Sequence, residues 1–284
     1  MNKRQSWNII TLFCILIFGF TIATMIKPDT EYSESENRTL AKMPELTAES
    51  VLSGEFEADY ETYLTDQFVA RDAWIGLKTD VERAMFKRES KDIYFADDGY
   101  LIEKHTGAFT TDTAALNVRV LGEFARMYQE QFQDHLTVMV LPEGVWFDTS
   151  DILRAHSDEE IYYRTDHHWE TLAAFYVYQQ WAKQQGFAVP QASDYEIETV
   201  TEAFEGTVQS KLGIDAQKDS IEIYKQKEDI FYTVQKGDGG EIGYSVYDRT
   251  ALETKSKYDI FFGGNHALVR IGTRAGKGRR LLVI

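Results

Sequence analysis

A short run of charged and aromatic residues in the middle of the chain has the side-chain types needed for acid–base chemistry. It is the segment Tyr162–Trp169, with the sequence YYRTDHHW. If this segment is extended, side chains two residues apart share a face, so Asp166 and His168 point together and His167 points away. A carboxylate bonded to one imidazole nitrogen fixes the tautomer and leaves the other nitrogen free to take a proton from a serine hydroxyl. The spacing therefore predicts an orienting carboxylate at Asp166 and a general base at His168.

Two other interpretations of these residues stay open. Aspartate and histidine near the start of a helix also serve as caps and as hydrogen-bonding groups in a core. Alternatively, Asp166, His167 and His168, with His156 as a fourth candidate, could offer oxygen and nitrogen ligands to zinc. Adjacent histidines rarely place both rings on one ion, and no H-E-x-x-H spacing is present. We therefore expect no metal and no cofactor, and we expect a structural role for His167.

Helices and a buried strand must position this segment. The apolar spacing after it predicts a helix from Trp169 to Gln185, which Gly186 would end. A second helix is predicted over residues 114–132. The nearly continuous apolar run at residues 136–141 predicts a strand that is covered on both faces. A helix followed by such a strand indicates an α/β layer.

Shorter strands are indicated elsewhere in the chain. Two apolar triplets, residues 93–95 and 100–102, flank an Asp98-Gly99 turn and predict a β-hairpin. Further strands are expected at residues 221–224, 230–234, 258–262 and 281–284. The last of these follows a basic turn and resembles the opening of a central parallel strand.

The N-terminus contains an apolar run that is long enough to cross a bilayer. Residues 7–26 carry no charge, and twenty residues at about 1.5 Å each cover a hydrocarbon core of about 30 Å. Lys3 and Arg4 precede the run, whereas four acidic residues lie between Lys27 and Asn37. The positive-inside rule then places the N-terminus in the cytoplasm and the main domain outside. We expect a single-pass anchor in the cell membrane, with a cleaved signal as the alternative.

The composition excludes several classes of protein. With 46 acidic and 30 basic residues, the net charge of −16 argues against binding to nucleic acid. The single cysteine, Cys14, lies inside the apolar run. It can form no disulfide within the chain, and the exported part has no thiolate for catalysis or zinc.

The pattern along the chain divides it into three parts. Residues 1–26 are the membrane anchor or signal. Residues 27–90 are a polar tether, over residues 28–47, followed by one or two juxtamembrane helices around the polar break DQFVARD at residues 66–72. Residues 91–284 form the α/β domain.

Five segments in this order resemble those of the bacterial DHHW proteins, which are similar to the alginate O-acetylation proteins of the SGNH hydrolase superfamily. They are ENRTLAKMPELT from Glu36, DQFVARD, IYFADDGYLI, YYRTDHHW with the aromatic helix after it, and FFGGNHALVRIGT leading to GRRLLVI. The resemblance implies an SGNH-like three-layer α/β/α sandwich, incomplete at its C-terminus, whose catalytic Asp-x-His pair falls on Asp166 and His168.

The resemblance also implies a mechanism and partners. It implies a serine nucleophile in an Asp-Ser motif directly after the strand at residues 281–284, so we expect this chain to lack the nucleophile and to be inactive by itself. The short distance between residues 136–141 and YYRTDHHW indicates an internal deletion near residues 145–148. In complete relatives the serine would carry an acetyl group that is transferred to, or removed from, a surface polysaccharide. A membrane-bound O-acyltransferase would supply the acetyl group. Asn265 is a candidate oxyanion or substrate contact.

A noncatalytic role is the alternative. A membrane-tethered protein could bind carbohydrate, or help assemble polysaccharide, through the rings of Tyr162, Tyr163 and Trp169. Exposure of these rings beside a groove would favour this role, and burial would weaken it.

Overall fold

The computed structural model of the chain describes residues 3–36, 38–105, 111–127, 149–228 and 230–274. Two compact units are present. The first comprises Met1–Asp92 together with Thr207–Ala216, and the second comprises Ile93–Gly206 together with Gln217–Ile284. The described residues form a mixed α/β structure, which agrees with the predicted class at that level. The three-part division made from the sequence stays a prediction.

The first unit is mainly helical. Its elements are α1 (Lys3–Ile26), β1 (Tyr32–Ser33), β2 (Arg38–Thr39), α2 (Ala48–Ser53), α3 (Glu55–Gln67), α4 (Arg71–Ala84), β3 (Glu89–Ser90) and, from its second segment, α8 (Thr207–Leu212). Helix α1 covers the predicted apolar run, and by length and composition it could span a membrane; a signal sequence would have the same properties. The predicted polar break lies where α3 ends and α4 begins.

Two buried polar residues at the end of α3 hold the segment that follows α1. Arg38 donates two hydrogen bonds to Asp66, at 2.8 and 2.5 Å, and the Ala41 amide donates a third, at 2.9 Å. Gln67 bonds the Thr30 amide and carbonyl and the Ala41 carbonyl. Residues 30–41, which the sequence analysis assigned to a tether, are therefore attached to α3 by hydrogen bonds.

A second set of charges joins the same segment to α4. Glu36 accepts two hydrogen bonds from Arg71 and one from Arg38, and it also pairs with Lys91 at 3.3 Å. The ENRTLAK and DQFVARD segments are thus partners of each other. The charged residues of both segments therefore hold parts of the first unit together.

The second unit contains antiparallel strands and two small hydrophobic cores. Its elements are β4 (Ile93–Phe95), β5 (Leu101–Glu103), α5 (Asp112–Met127), α6 (Ser150–Ala155), α7 (Thr171–Gln184), β6 (Tyr195–Phe204), β7 (Asp219–Gln226), β8 (Tyr232–Lys236), β9 (Ile242–Gly243) and β10 (Val269–Thr273). Strands β4 and β5 form the predicted hairpin, β6 pairs with β7, and β8 pairs with both β9 and β10.

One core lies beside helix α7, and the other lies beside the sheet of β6 and β7. Both elements follow the acid–base segment in the chain. The first core packs α6 against α7, through Leu153, Ala173 and Val177. The second core lies against β6 and β7 and contains Tyr163, Phe204, Ile221, Ile223 and Ile260. Helix α7 begins two residues later than predicted, and the Gly186 that follows it has φ +69°, as expected of the residue after a helix.

One predicted strand is wrong. Residues 258–262 do not form a strand, because Lys257–Ile260 is a 3-10 turn. Phe262, Gly263 and Gly264 then all adopt positive φ, which turns the chain before any strand can extend. The strands predicted at residues 136–141 and 281–284, and the proposed deletion near residues 145–148, lie outside the described residues. The long strand β6 and the strand β10 were not predicted.

The Asp66 network gives a test of the first unit. Asp66→Asn should lower the free energy of unfolding by about 2–3 kcal/mol, because it removes the charge that Arg38 binds. Arg38 holds the pKa of Asp66 below its ordinary value. This contribution is therefore present above pH about 4 and is lost as pH falls further.

Denaturant unfolding of the detergent-solubilised chain measures the change. Glu31→Gln is the matched control, because the Glu31–Lys42 pair is mostly exposed and should contribute little. Equal stability of the two variants would contradict the structural role of Asp66.

Candidate functional site

The acid–base segment forms a tight turn. Tyr162 and Trp169 make an isolated antiparallel bridge. The Tyr163 amide donates to the His168 carbonyl at 3.3 Å, and the Glu170 amide donates to the Ile161 carbonyl at 2.9 Å. Residues 164–168 between these bonds are bends. The extended conformation considered in the sequence analysis is therefore not the one adopted.

The turn nevertheless brings Asp166 and His168 together. Oδ1 of Asp166 lies 2.5 Å from Nδ1 of His168, and the same oxygen accepts the His168 backbone amide at 3.1 Å. The Asp166 side chain is 1% exposed, whereas that of His168 is 37% exposed. Among the described residues, Nε2 of His168 has no hydrogen-bond partner. One imidazole nitrogen is thus held by a buried carboxylate, and the other belongs to a partly exposed ring.

His167 does not point away from the pair. Its Nδ1 lies 3.6 Å from Oδ1 of Asp166, and its ring centre lies 4.1 Å from that of His168. One ligand atom from each of Asp166, His167 and His168 falls within a 4.8 Å group. Oδ1 of Asp166 and Nδ1 of His168 are already used in the bond between the two residues, so a metal ion held by those two atoms would have to replace that bond.

His156, the fourth ligand considered for zinc, has other partners. Its ring stacks on Tyr176 at 3.7 Å, and its Nδ1 lies 2.6 Å from Glu159. It does not belong to the Asp166 group. The four residues therefore do not form the zinc site that the sequence left open.

An aromatic ring covers one face of His168. Tyr258 stacks on the imidazole with ring centres 4.1 Å apart and an angle of 15° between the planes. Burial, and then the charge of Asp166, raise the pKa of Tyr258 to about 12. The Tyr258 hydroxyl is therefore neutral near pH 7, and the ring restricts the orientation of His168 without adding a charge.

A buried carboxylate that the sequence analysis missed fixes the turn. Asp219, the first residue of β7, accepts hydrogen bonds from the Arg164 amide at 3.1 Å, the Thr165 amide at 2.8 Å and the Thr165 hydroxyl at 2.6 Å. Asp219 and Thr165 are both buried. A lone aspartate before an apolar strand carries no distinctive sequence signal, so only the fold shows this contact.

A glycine packs against the same turn from the end of β6. The Gly206 amide donates to the Thr165 hydroxyl at 2.9 Å. A Cβ at Gly206 would lie 2.4 Å from the Asp166 Cβ and 2.4 Å from the Thr165 carbonyl oxygen. Only glycine allows the two backbones to approach this closely.

Glu170 is the half-buried residue at the start of α7. Burial raises its pKa to about 8, with smaller contributions from Glu160, Asp219 and Glu222. Much of its population is therefore protonated near pH 7. The sequence analysis did not identify Glu170, because its unusual environment arises from residues distant in the chain.

The aromatic residues of the turn are largely used in packing. Tyr163 is 2% exposed and lies in the core beside β6 and β7. Tyr162 and Trp169 are partly buried against the core between α6 and α7. This burial weakens the carbohydrate-stacking role considered for these three rings.

Asn265 lies in the segment after Tyr258. It is exposed and follows Gly263 and Gly264, which have φ of +72° and +89°. Within the described residues no hydrogen bond joins it to Asp166 or His168. The positive φ values account for the glycines as turn residues, and an oxyanion role for Asn265 stays a prediction.

The family comparison agrees with the resemblance in the turn and helix. A family model described as DHHW protein matches residues 146–284. The matched region is just under half of the chain, and Asp166, His167, His168 and Trp169 all lie within it. No curated protein matches the chain.

Two solved structures are similar to parts of the chain. One is a DHHW family protein from Eubacterium siraeum, at 28% identity over 47% of this chain and 46% of that one, with a TM-score of 0.39. The other is Bacillus cereus PatB1 with a sulfonyl adduct, at 16% identity over 51% of each chain, with a TM-score of 0.35. The chain thus spans about half the length of the solved relatives it matches.

Gly206 gives a direct test of how the turn is held. Gly206→Ala should lower the free energy of unfolding by about 2–3 kcal/mol, because the new methyl group overlaps the turn backbone. It should also displace Asp166 from His168. The short bond to Asp166 predicts a far-downfield NMR signal for the proton on Nδ1 of His168, and Gly206→Ala should weaken or remove that signal.

Gly122→Ala is the matched control, because no atom lies within 4 Å of a Cβ built there. Its position inside α5 predicts a gain of about 0.5–1 kcal/mol and an unchanged His168 signal. Full retention of both stability and signal in Gly206→Ala would show that the close approach does not hold the turn.

The raised pKa of Glu170 predicts that the stability of the protein depends on pH. An unfolded glutamate titrates near 4.3, whereas the pKa of folded Glu170 is raised to about 8. Between these values the unfolded state loses the proton more readily, so this residue makes stability fall as pH rises from about 4 to about 8. Glu170→Gln should remove that part of the slope and raise Tm at pH 7.

Thermal unfolding at several pH values measures the effect, with the exposed Glu253→Gln as control. Parallel curves of Tm against pH for wild type and Glu170→Gln would contradict the assignment.

Proposed function

We propose that this chain is an extracytoplasmic, membrane-anchored protein that serves acetyl transfer to or from a cell-surface polysaccharide. The proposal rests mainly on the Asp166–His168 pair, in which a buried carboxylate binds Nδ1 and Nε2 is left accessible. The match to the DHHW family model, which includes the pair, supports it. The proposal includes an SGNH-like α/β/α sandwich as the fold of the whole protein.

The pair has the geometry of a base and the group that orients it. The Asp166 carboxylate keeps the proton on Nδ1, so Nε2 carries the lone pair that accepts a proton from a hydroxyl. The oxygen of that hydroxyl then attacks the acetyl carbonyl, and Asp166 stabilises the imidazolium formed on His168. When the tetrahedral intermediate collapses, Nε2 returns the proton to the leaving oxygen.

The remaining roles belong to the proposal as well. The resemblance implies that a serine supplies the attacking hydroxyl, and we assign that role to no serine of this chain. A membrane-bound O-acyltransferase is the proposed acetyl source. Asn265 remains the proposed oxyanion or substrate contact. Both transfer to the polysaccharide and hydrolysis from it fit this chemistry.

Helix α1 supports the proposed location. It is long and apolar enough to span a bilayer. Lys3 and Arg4 lie on its N-terminal side, and acidic residues follow it. The charge difference supports a cytoplasmic N-terminus and an extracytoplasmic DHHW domain.

Genetic complementation in the encoding bacterium tests this function. With the attacking serine supplied from outside this chain, deletion of the gene should lower the acetate that mild alkali releases from surface polysaccharide, and the wild-type gene should restore it. His168→Gln should fail to restore it, because a general base contributes on the order of 10²–10⁴-fold to rate. His167→Gln is the matched control and should restore most of the acetate.

Immunoblots of the membrane fraction confirm equal amounts of each variant. An unchanged acetate level after deletion would exclude polysaccharide acetylation. A deletion phenotype that His168→Gln repairs fully would instead support the noncatalytic alternative.

A further inference from the structure

Helix α4 exposes a line of large apolar side chains. Trp74, Leu77, Val81 and Met85, at the end of the helix, are 40%, 53%, 49% and 67% exposed. Their spacing of three and four residues places them on one face. Together they form an apolar stripe on the surface of the first unit.

The opposite face of α4 is the one that packs inside the unit. Gly76 and Thr79 are buried there. A Cβ at Gly76 would lie 2.2 Å from the Gly213 carbonyl oxygen, and the Thr79 hydroxyl donates to the Leu212 carbonyl at 2.9 Å. The helix thus makes close contacts through Gly76 and Thr79 and directs these four large apolar residues outward. This is the reverse of an ordinary surface helix.

The stripe begins where α4 meets α1. Phe20 of α1 packs edge-on against Trp74 with ring centres 5.2 Å apart, and it also contacts Phe68 at 6.0 Å. The hydroxyl of Thr24 accepts the Val69 amide at 3.2 Å. The stripe is therefore continuous with the apolar surface of the candidate membrane helix.

The length of α1 sets the level of this contact in a bilayer. Its 24 residues span about 36 Å at 1.5 Å per residue, which exceeds a hydrocarbon core of about 30 Å. Phe20 and Thr24 lie in its last two turns. Trp74 would then lie at the outer membrane–water interface, where tryptophan is enriched in membrane proteins.

We propose that α4 lies on the outer surface of the membrane, with the apolar stripe in the boundary between headgroups and acyl chains. The inference rests on the anchoring of α1 in the proposed function. The net charge of −16 opposes attraction to anionic lipids, so apolar contact must provide the binding. Zwitterionic lipid is therefore sufficient.

Fluorescence quenching in vesicles tests this contact. The full chain is reconstituted into phosphatidylcholine vesicles, with single cysteines labelled by an environment-sensitive dye. In a Cys14→Ser background, Val81→Cys reports the stripe, and the adjacent, exposed Asp80→Cys is the matched control. The native Cys14, labelled in the otherwise unchanged chain, reports α1.

The expected result has three parts. A deep acyl-chain nitroxide should quench the label at Cys14, and a shallow nitroxide should quench the label at Val81→Cys several-fold more than that at Asp80→Cys. Leu77→Cys should behave like Val81→Cys, which guards against a folding defect in one variant.

The two ways of failing are distinguishable. Quenching at Cys14 without quenching at Val81→Cys and Leu77→Cys would overturn the interfacial position of α4 while the anchor stands, and would indicate that protein covers the stripe. No quenching at Cys14 would remove the anchor itself, and with it this proposal.

Discussion

The bonds between Asp219 and the turn at residues 164–165 are the contacts on which the site depends. A carboxylate that is removed from water must find hydrogen-bond donors, and here two backbone amides and one hydroxyl supply them. Because Asp219 opens β7, the position of the turn is tied to the β6–β7 sheet. Gly206, which follows β6, fits against the turn from the same sheet. The acid–base pair is therefore held by a rigid element and not by its own loop alone.

Asp166 can then serve two partners with one oxygen. Its Oδ1 accepts the backbone amide and the ring nitrogen of His168, so the same residue shapes the turn and orients the imidazole. Tyr258 restricts the ring from one face. A buried carboxylate, a held Nδ1 and a partly exposed imidazole are the observations on which the proposed acid–base role rests.

The first unit also contains a buried carboxylate, but its hydrogen-bond partners are of a different kind. Asp66 is also buried, but a guanidinium and one backbone amide compensate its charge. Its partners come from the segment after α1, so the network attaches that segment to α3 and α4. The ENRTLAK and DQFVARD segments, which supply this network, therefore have a structural role. The segment YYRTDHHW also has a structural role, and it contains the candidate chemical site as well. On α4, packing through glycine and threonine leaves the apolar stripe exposed on the surface of the first unit.

Local patterns of residues were enough to locate several elements before the fold was known. The apolar run fixed α1, the spacing of apolar residues located α3, α4 and α7, and the Asp98-Gly99 turn located the β4–β5 hairpin. The types and order of Asp166 and His168 were enough to suggest their pairing. Only the tertiary structure decided the rest: the turn at residues 162–169 is closed by contacts with β6 and β7, and the aromatic run at residues 257–260 becomes a 3-10 turn. Asp219, Gly206 and Glu170 could not be chosen from the sequence, because their partners lie far away in the chain and no local pattern records a contact between distant residues.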